Sequence, residues 1–420
     1  MPNHKTITPI KEHDKIPENF HDLLNDIQFV GNPDYMAPPQ YLGIDQDYNA
    51  SYYIGACWLI KNEFAVSVIP KIENIDFVTM FMSALEINTA KESDYFGKCY
   101  GIMFDEPQIE TTEQLNQLTP LLILHYISLL DKLVKHGLKK NYIILEDNLK
   151  SKVKGRIMFT RHLQKNIFQQ RYDRTYCQFQ EHTEDIPENR LLKKALIFAE
   201  NAINAYPSIK TKLGQSKELS NSFNRLKSAF YNVSDEIEIR QVQKITGNKI
   251  FREYKDAIKV AKMILQRFDY SLSNSTQEQH TTPPFWIDMA RLYEMWVWKK
   301  LTEKSSHIID FQENGFYHRQ VADFVIKEEK LILDAKYKDG YKKDNWVNID
   351  DIRELSGNAR DESLLPNISD DYSPRCIILY PDDFEELESE NKSFFENQGR
   401  KIPHYRNFYK ISVPLPKIDM

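Results

Sequence analysis

The sequence predicts a multidomain α+β protein. Three observations carry this reading: turn-linked apolar strands in the first part, sustained helical periodicity in the middle, and a helix–strand–strand–strand–helix–strand order at the end. Its 420 residues suit two or three domains. The expected division is a β-rich region over residues 1–150, a mainly helical region over 151–273 and an α/β domain over 284–420.

The first fifty residues read as irregular, with one short helix near Phe20 to Phe29. Tyr52 to Ile60 and Phe64 to Ile69 form a predicted hairpin around Lys61-Asn62, and Cys99 to Phe104 another strand. Asp76 to Leu85 reads as a helix, as does Leu115 to His136, which stops near Gly137. Tyr142 to Leu145 and Val153 to Phe159 are strand-like. Pro187 to Ala205, Leu219 to Phe230 and Glu253 to Phe268 have the period of helices. Ser271 to Pro284 has linker composition. Beyond it, Phe285 to Leu301 reads as a helix, Asp350 to Ala359 as a second, and Arg375 to Tyr380 as a strand.

The chemistry concentrates between Val321 and Lys336. Apolar runs flank Glu328-Glu329, which marks two strands and a tight turn. A turn centred on that pair sets Lys327 against Lys330, and counting back sets Asp323 against Asp334. Side chains alternate with period two, so Lys336 shares the face of Asp334. Cross-strand Cβ atoms lie roughly 5 Å apart, and two carboxylates that close repel unless a cation or a shared proton relieves them. Hard oxygen donors suit Mg²⁺, with Mn²⁺ as the alternative. Glu294, on the predicted helix among Tyr293, Trp296 and Trp298, supplies a third carboxylate if that helix packs beside the hairpin.

Composition limits the alternatives. A net charge of −6 excludes a globally basic nucleic-acid binder, although Lys327, Lys330, Lys336, Lys338, Lys342 and Lys343 cluster around the hairpin. Cys57, Cys99, Cys177 and Cys376 are scattered, with no C-x-x-C pair, which fits a reducing cytoplasm rather than a zinc site or disulfide framework. No signal-peptide pattern or membrane-length apolar run is visible. His162 and His182 lack partners at ligand spacing and read as structural. No phosphate-binding G-x-x-x-x-G-K-[ST] loop occurs, so nucleotide hydrolysis is not expected of this chain.

A helix with Glu294, a strand with Asp323 and a strand with Asp334-Ala335-Lys336 resemble the active-site order of PD-(D/E)xK nucleases. Within that superfamily the chain resembles the McrC family, the nuclease subunits of McrBC modification-dependent restriction systems. The resemblance extends over Val153-Lys154-Gly155-Arg156-Ile157, Asn189-Arg190-Leu191-Leu192-Lys193, Leu292-Tyr293-Glu294, Ile332-Leu333-Asp334-Ala335-Lys336-Tyr337 and Leu379-Tyr380-Pro381. It implies that Asp323, Asp334 and the Ala335 carbonyl hold Mg²⁺ with Glu294 as accessory ligand, and that Lys336 positions the attacking water. It also implies an α/β nuclease domain that cuts modified double-stranded DNA in anti-phage defence. The partner would be a McrB-like AAA+ GTPase ring, engaged and stimulated by residues before about Lys150. Cutting both strands needs two centres, so pairing of nuclease domains during cleavage is expected. Two departures stand out. Ala322 replaces the superfamily's proline, and Asp351 to Asn358 carries Glu354 where the family has Gln, with Asn358 near its Tyr position. A non-catalytic activator of the ring and a stand-alone nuclease of another branch are the alternative readings.

Overall fold

Tyr53 to Leu59 is apolar without alternation, and every one of these residues is buried, as expected of a strand covered on both faces. The computed structural model describes residues 5–6, 9–29, 39–85, 95, 98–103, 106–107, 109–111, 118–205, 217–237, 252–273, 280–305, 307–316, 321–344, 346–366, 374–383 and 399–417. In chain order the first elements are β1 (Lys5–Thr6), β2 (Ile10–Lys11), β3 (Tyr53–Ile60), β4 (Phe64–Ile69), α1 (Phe77–Leu85), β5 (Tyr100–Ile102) and β6 (Ile109–Thr111). Then come α2 (Leu118–His136), β7 (Asn141–Lys150), β8 (Arg156–Ile157), β9 (Arg174–Thr183), α3 (Pro187–Ala205), α4 (Lys217–Ala229) and α5 (Arg252–Ser273). The last part holds β10 (His280–Thr282), β11 (Phe285–Asp288), α6 (Met289–Lys304), β12 (Asp310–Asn314), β13 (Val321–Ile326), β14 (Leu331–Ala335), α7 (Ile349–Asn358), β15 (Arg375–Asp382), β16 (Arg400–Lys401) and β17 (Phe408–Pro414). Mixed helices and several sheets make this an α+β multidomain protein.

The chain forms two compact units, residues 1–117 with 279–420, and residues 118–278. These boundaries differ from the expected 1–150, 151–273 and 284–420, and β11 is the reason. The expected helix over Phe285 to Leu301 begins instead as a strand. Phe285-Trp286-Ile287-Asp288 inserts antiparallel between β3 and β5, placing Trp286 opposite both Gly55 and Gly101. The helix proper starts at Met289, where Asp288 is the N-cap and accepts the Arg291 N–H at 3.0 Å. Gly55 has φ +138°, and a Cβ there would lie 2.1 Å from the Phe285 carbonyl oxygen, so only glycine lets β11 close this sheet. A strand from the last third thereby completes the N-terminal sheet. Of the expected linker, residues 274–279 lie outside the described residues, as do Leu115 to Gln117 and Phe104 of the expected helix and strand.

The larger unit's second sheet runs β12-β13-β14-β15-β17-β16. Its first three strands are antiparallel, whereas β14, β15 and β17 are parallel. Val325, Ile332, Cys376, Ile378 and Tyr380 pack with Ile352 and Leu355 of α7 on one face. Fully burying each aliphatic side chain there contributes about 1.5–3 kcal/mol. The sequence reading missed β17, and β16 beside it.

The 118–278 unit is less purely helical than expected. Its ten-residue strands β7 and β9 pair from Asn141↔Thr183 to Lys150↔Arg174, and β8 adds to β9. The expected strand Val153 to Phe159 shrinks to Arg156–Ile157, because a helical turn begins at Phe159. Helix α5 packs against α2 and α3, and Leu191, Leu192, Ala195 and Leu196 of α3 are fully buried.

Candidate active site

The hairpin forms in the counted register. Phe324 pairs with Leu333, Val325 with Ile332 and Ile326 with Leu331. The turn spans Lys327 to Lys330, where the Lys330 N–H donates to the Lys327 carbonyl at 3.3 Å. One step further along this ladder brings Asp323 to Asp334. Their carboxyl groups act on one another electrostatically, and the Ala335 N–H donates to Asp323 Oδ2 at 2.9 Å. Lys336 Nζ lies 2.9 Å from Asp334 Oδ2 and 2.8 Å from Glu354 Oε2. The Lys336 N–H donates to the Leu379 carbonyl at 2.8 Å, which fixes the strand end that carries it.

Glu294 joins the cluster. Helix α6 is buried around most of its girth by Leu292, Tyr293, Met295, Trp296, Val297 and Trp298, so its aromatic residues are core. A buried carboxylate on such a helix needs donors. Glu294 Oε2 accepts from the Tyr95 hydroxyl and from Gln312 Nε2, the latter at 3.0 Å. The same Gln312 amide nitrogen donates to Asp323 Oδ1 at 2.9 Å. Glu294, Asp323, Asp334 and Lys336 therefore stand together, with Gln312 and Glu354 as members that sequence reasoning did not assign.

The electrostatics favour added positive charge. Burial, reinforced by Glu294, pushes Asp323 up to about 7. Burial, with Asp288 and Asp334 adding to it, pushes Glu294 up to about 8. Asp334 is raised well above the usual carboxylate range by burial, with Lys336 opposing and Asp323 adding to the shift. Burial alone would lower Lys336, but Asp334, Asp323 and Glu354 outweigh it and keep the ammonium protonated. Among the described residues, no three His, Cys, Asp or Glu side chains are already arranged as a metal cage. An aspartate pair with a neighbouring backbone carbonyl still matches the all-oxygen donor set of Mg²⁺, which binds through one or two carboxylates and keeps several waters.

The lysine cluster resolves largely into ion pairs. Lys327 bridges to Asp310 at 2.8 Å, Lys338 to Asp351 at 2.7 Å and Lys342 to Asp382 at 3.9 Å. Other motif residues have structural roles. Asn189 is buried, donates to the Lys139 and Glu184 carbonyls at 2.9 and 2.7 Å, and accepts from the Tyr254 hydroxyl. Gly155 has φ +69°, and a Cβ there would meet the Gln178 carbonyl at 2.4 Å. His162 contacts the Asn166 amide at 3.0 Å, while His182 packs on Tyr142. All four cysteines are free and buried, and among the described residues no helix is long and apolar enough to cross a membrane.

Next to Tyr337, the residue after Lys336, lies another buried carboxylate. Glu12, only 2% exposed, accepts the Lys71 N–H at 2.9 Å and the Tyr337 hydroxyl at 3.4 Å. Lys71 Nζ donates to the Tyr337 carbonyl at 2.8 Å, one residue beyond Lys336. Burial pushes Glu12 from 4.5 up to about 7. A carboxyl raised in the folded state contributes stability that is complete below its unfolded value near 4.5 and is lost as pH rises through about 7. Glu12→Gln removes this loss. Thermal melts should show equal stability at pH 4 and a more stable variant at pH 8, by up to about 3 kcal/mol. A gap that is independent of pH would contradict the burial of a charge there.

A family model described as McrBC 5-methylcytosine restriction system component matches residues 49–352. The chain belongs to this McrBC family. No curated protein matches it. Among solved structures, it is similar to a refined half-complex from a tetradecameric assembly of Thermococcus gammatolerans McrB AAA+ hexamers with bound McrC. There the identity is 14%, the match covers 98% of this chain and 94% of that chain, and the TM-score is 0.40. It is also similar to the cryo-EM structure of the Thermococcus gammatolerans McrBC complex, with 13% identity, 71% and 88% coverage and a TM-score of 0.31. The McrBC match covers β3 through β14, and so includes Glu294, Asp323, Asp334 and Lys336.

Proposed function

We propose that this chain is the endonuclease subunit of an McrBC-type restriction system, hydrolysing DNA phosphodiester bonds with Mg²⁺. The observation that carries this reading is the hairpin register, which sets Asp323 against Asp334 with Lys336 on the latter's carboxylate, in a chain of the McrBC family. Asp323, Asp334 and the Ala335 carbonyl would hold the cation, with Glu294 as accessory ligand. When bound, Mg²⁺ supplies Lewis-acid polarisation of the phosphoryl oxygen and a lowered pKa for water. Lys336 is held protonated by its carboxylate neighbours. It therefore acts as a donor that orients water and offsets charge building on the phosphate, not as the base. Glu354 also holds the ammonium, at 2.8 Å.

The partner in this reading is a McrB-like AAA+ GTPase ring, and modified double-stranded DNA is the substrate. The McrC in the Thermococcus gammatolerans assembly is bound to McrB AAA+ hexamers. Residues before about Lys150 would engage the ring. Strand β7 in that segment exposes Tyr142 and Ile144, apolar side chains suited to a protein contact. The test incubates the chain with its AAA+ partner, GTP and methylcytosine-containing DNA. Cleavage should require the partner and Mg²⁺ or Mn²⁺ and should stop with EDTA, while the chain stimulates GTP hydrolysis. Stimulated hydrolysis with intact DNA under every metal would establish the non-catalytic activator instead.

A further inference from the structure

Gln312 lies at the centre of the carboxylate cluster, and its backbone is unusual. Strand β12 pairs with β13 through Asp310↔Val325, Phe311↔Phe324, Glu313↔Ala322 and Asn314↔Val321. That register sets Gln312 opposite Asp323. Its φ is +50°, a left-handed conformation inside a strand, which a non-glycine residue adopts only under strain. Such strain persists only where the surroundings enforce it, and it concentrates at functional sites. Here it coincides with a side chain whose single amide nitrogen serves two carboxylates, Glu294 Oε2 at 3.0 Å and Asp323 Oδ1 at 2.9 Å. Both N–H bonds are thus spent on holding together two groups that repel when ionised.

We propose that Gln312 is a positioning residue that clamps Glu294 to Asp323 and thereby raises the affinity of the cluster for a divalent cation. The inference rests on the nuclease reading above. A neutral amide lowers the cost of bringing the carboxylates together without filling the cation's place with charge. Oriented ligand groups lose less freedom when the ion arrives, and removing such supporting partners typically weakens metal binding about 10- to 100-fold.

The test is a titration of the full chain, without DNA, by MnCl₂ in a calorimeter. Gln312→Gly removes the amide and takes the positive φ without strain, so the backbone is retained; far-UV circular dichroism and a cooperative melt check this. Gln312→Asn also tolerates the left-handed region but is one carbon too short to reach both carboxylates. Both variants should bind Mn²⁺ about 10- to 100-fold more weakly than the wild type. Unchanged or tighter binding by either folded variant, with the wild type binding normally, overturns the clamp alone. A wild type that takes up no Mn²⁺, like an Asp334→Asn control, removes the metal-centre reading and the clamp with it.

Discussion

Lys336→Met should abolish DNA cleavage and also weaken the fold. The ammonium contacts Asp334 at 2.9 Å and Glu354 at 2.8 Å, and Asp334 is 4% exposed. Removing the cation strands a buried carboxylate, and breaking a buried pair in this way costs about 3–5 kcal/mol. Lys336 is only partly buried, so the low end, about 3 kcal/mol, is expected. Denaturant melts at pH 8 measure this loss. Adding Asp334→Asn should restore most of the stability and none of the cleavage, because it removes the stranded charge without returning the donor. If cleavage survives in Lys336→Met, this ammonium does not serve the reacting phosphate.

Asp334→Asn should separate stability from activity in the opposite sense. Burial raises Asp334 well above the usual carboxylate range, so ionising it costs the metal-free fold stability. The sign follows from linkage: this stability is complete below the unfolded pKa and is lost as pH rises through the folded one. The amide variant, which does not ionise, should therefore melt higher than the wild type at pH 8 and equally at pH 3. Mg²⁺ should raise the melting temperature of the wild type and leave the variant unmoved. A variant less stable than the wild type at pH 8 without metal would mean that the Lys336 ion pair outweighs the burial of charge.

Lys336 and Asp334 lie in a part of the molecule that was legible in the sequence. Asp323 and Asp334 could be paired by counting because a strand's period is two and a four-residue turn leaves no slack in the register. Glu294 was placed on the correct helix, but that helix starts at Met289 and not Phe285. Phe285-Trp286-Ile287 follows two prolines and fits either period, and only the partners on β3 and β5 decide for a strand. For the same reason the domain boundaries were not legible: a four-residue strand joining a sheet begun far earlier in the chain has no local signature. Gln312 carries no signal of its own in the sequence. Extending the register count from β13 to β12 would have set it opposite Asp323, but its positive φ and its reach to Glu294 belong to the folded state. Glu354 was visible as a departure from the family pattern, and only the reach of Lys336 ties it to the site. Strand β7 was read too short because Glu146-Asp147-Asn148 is polar, yet it continues to Lys150 against β9.

In the proposed function the Asp323–Asp334–Lys336 hairpin cuts DNA. The most direct measurement compares wild type and Asp334→Asn with the AAA+ partner, GTP, Mg²⁺ and methylated DNA, after confirming that both stimulate GTP hydrolysis equally. Loss of a metal-holding carboxylate forfeits several kcal/mol of transition-state stabilisation, or about 10³-fold in rate. Cleavage by the wild type is expected, with a loss of at least about that size in the variant and partner stimulation intact. Cleavage by Asp334→Asn at the wild-type rate would contradict it.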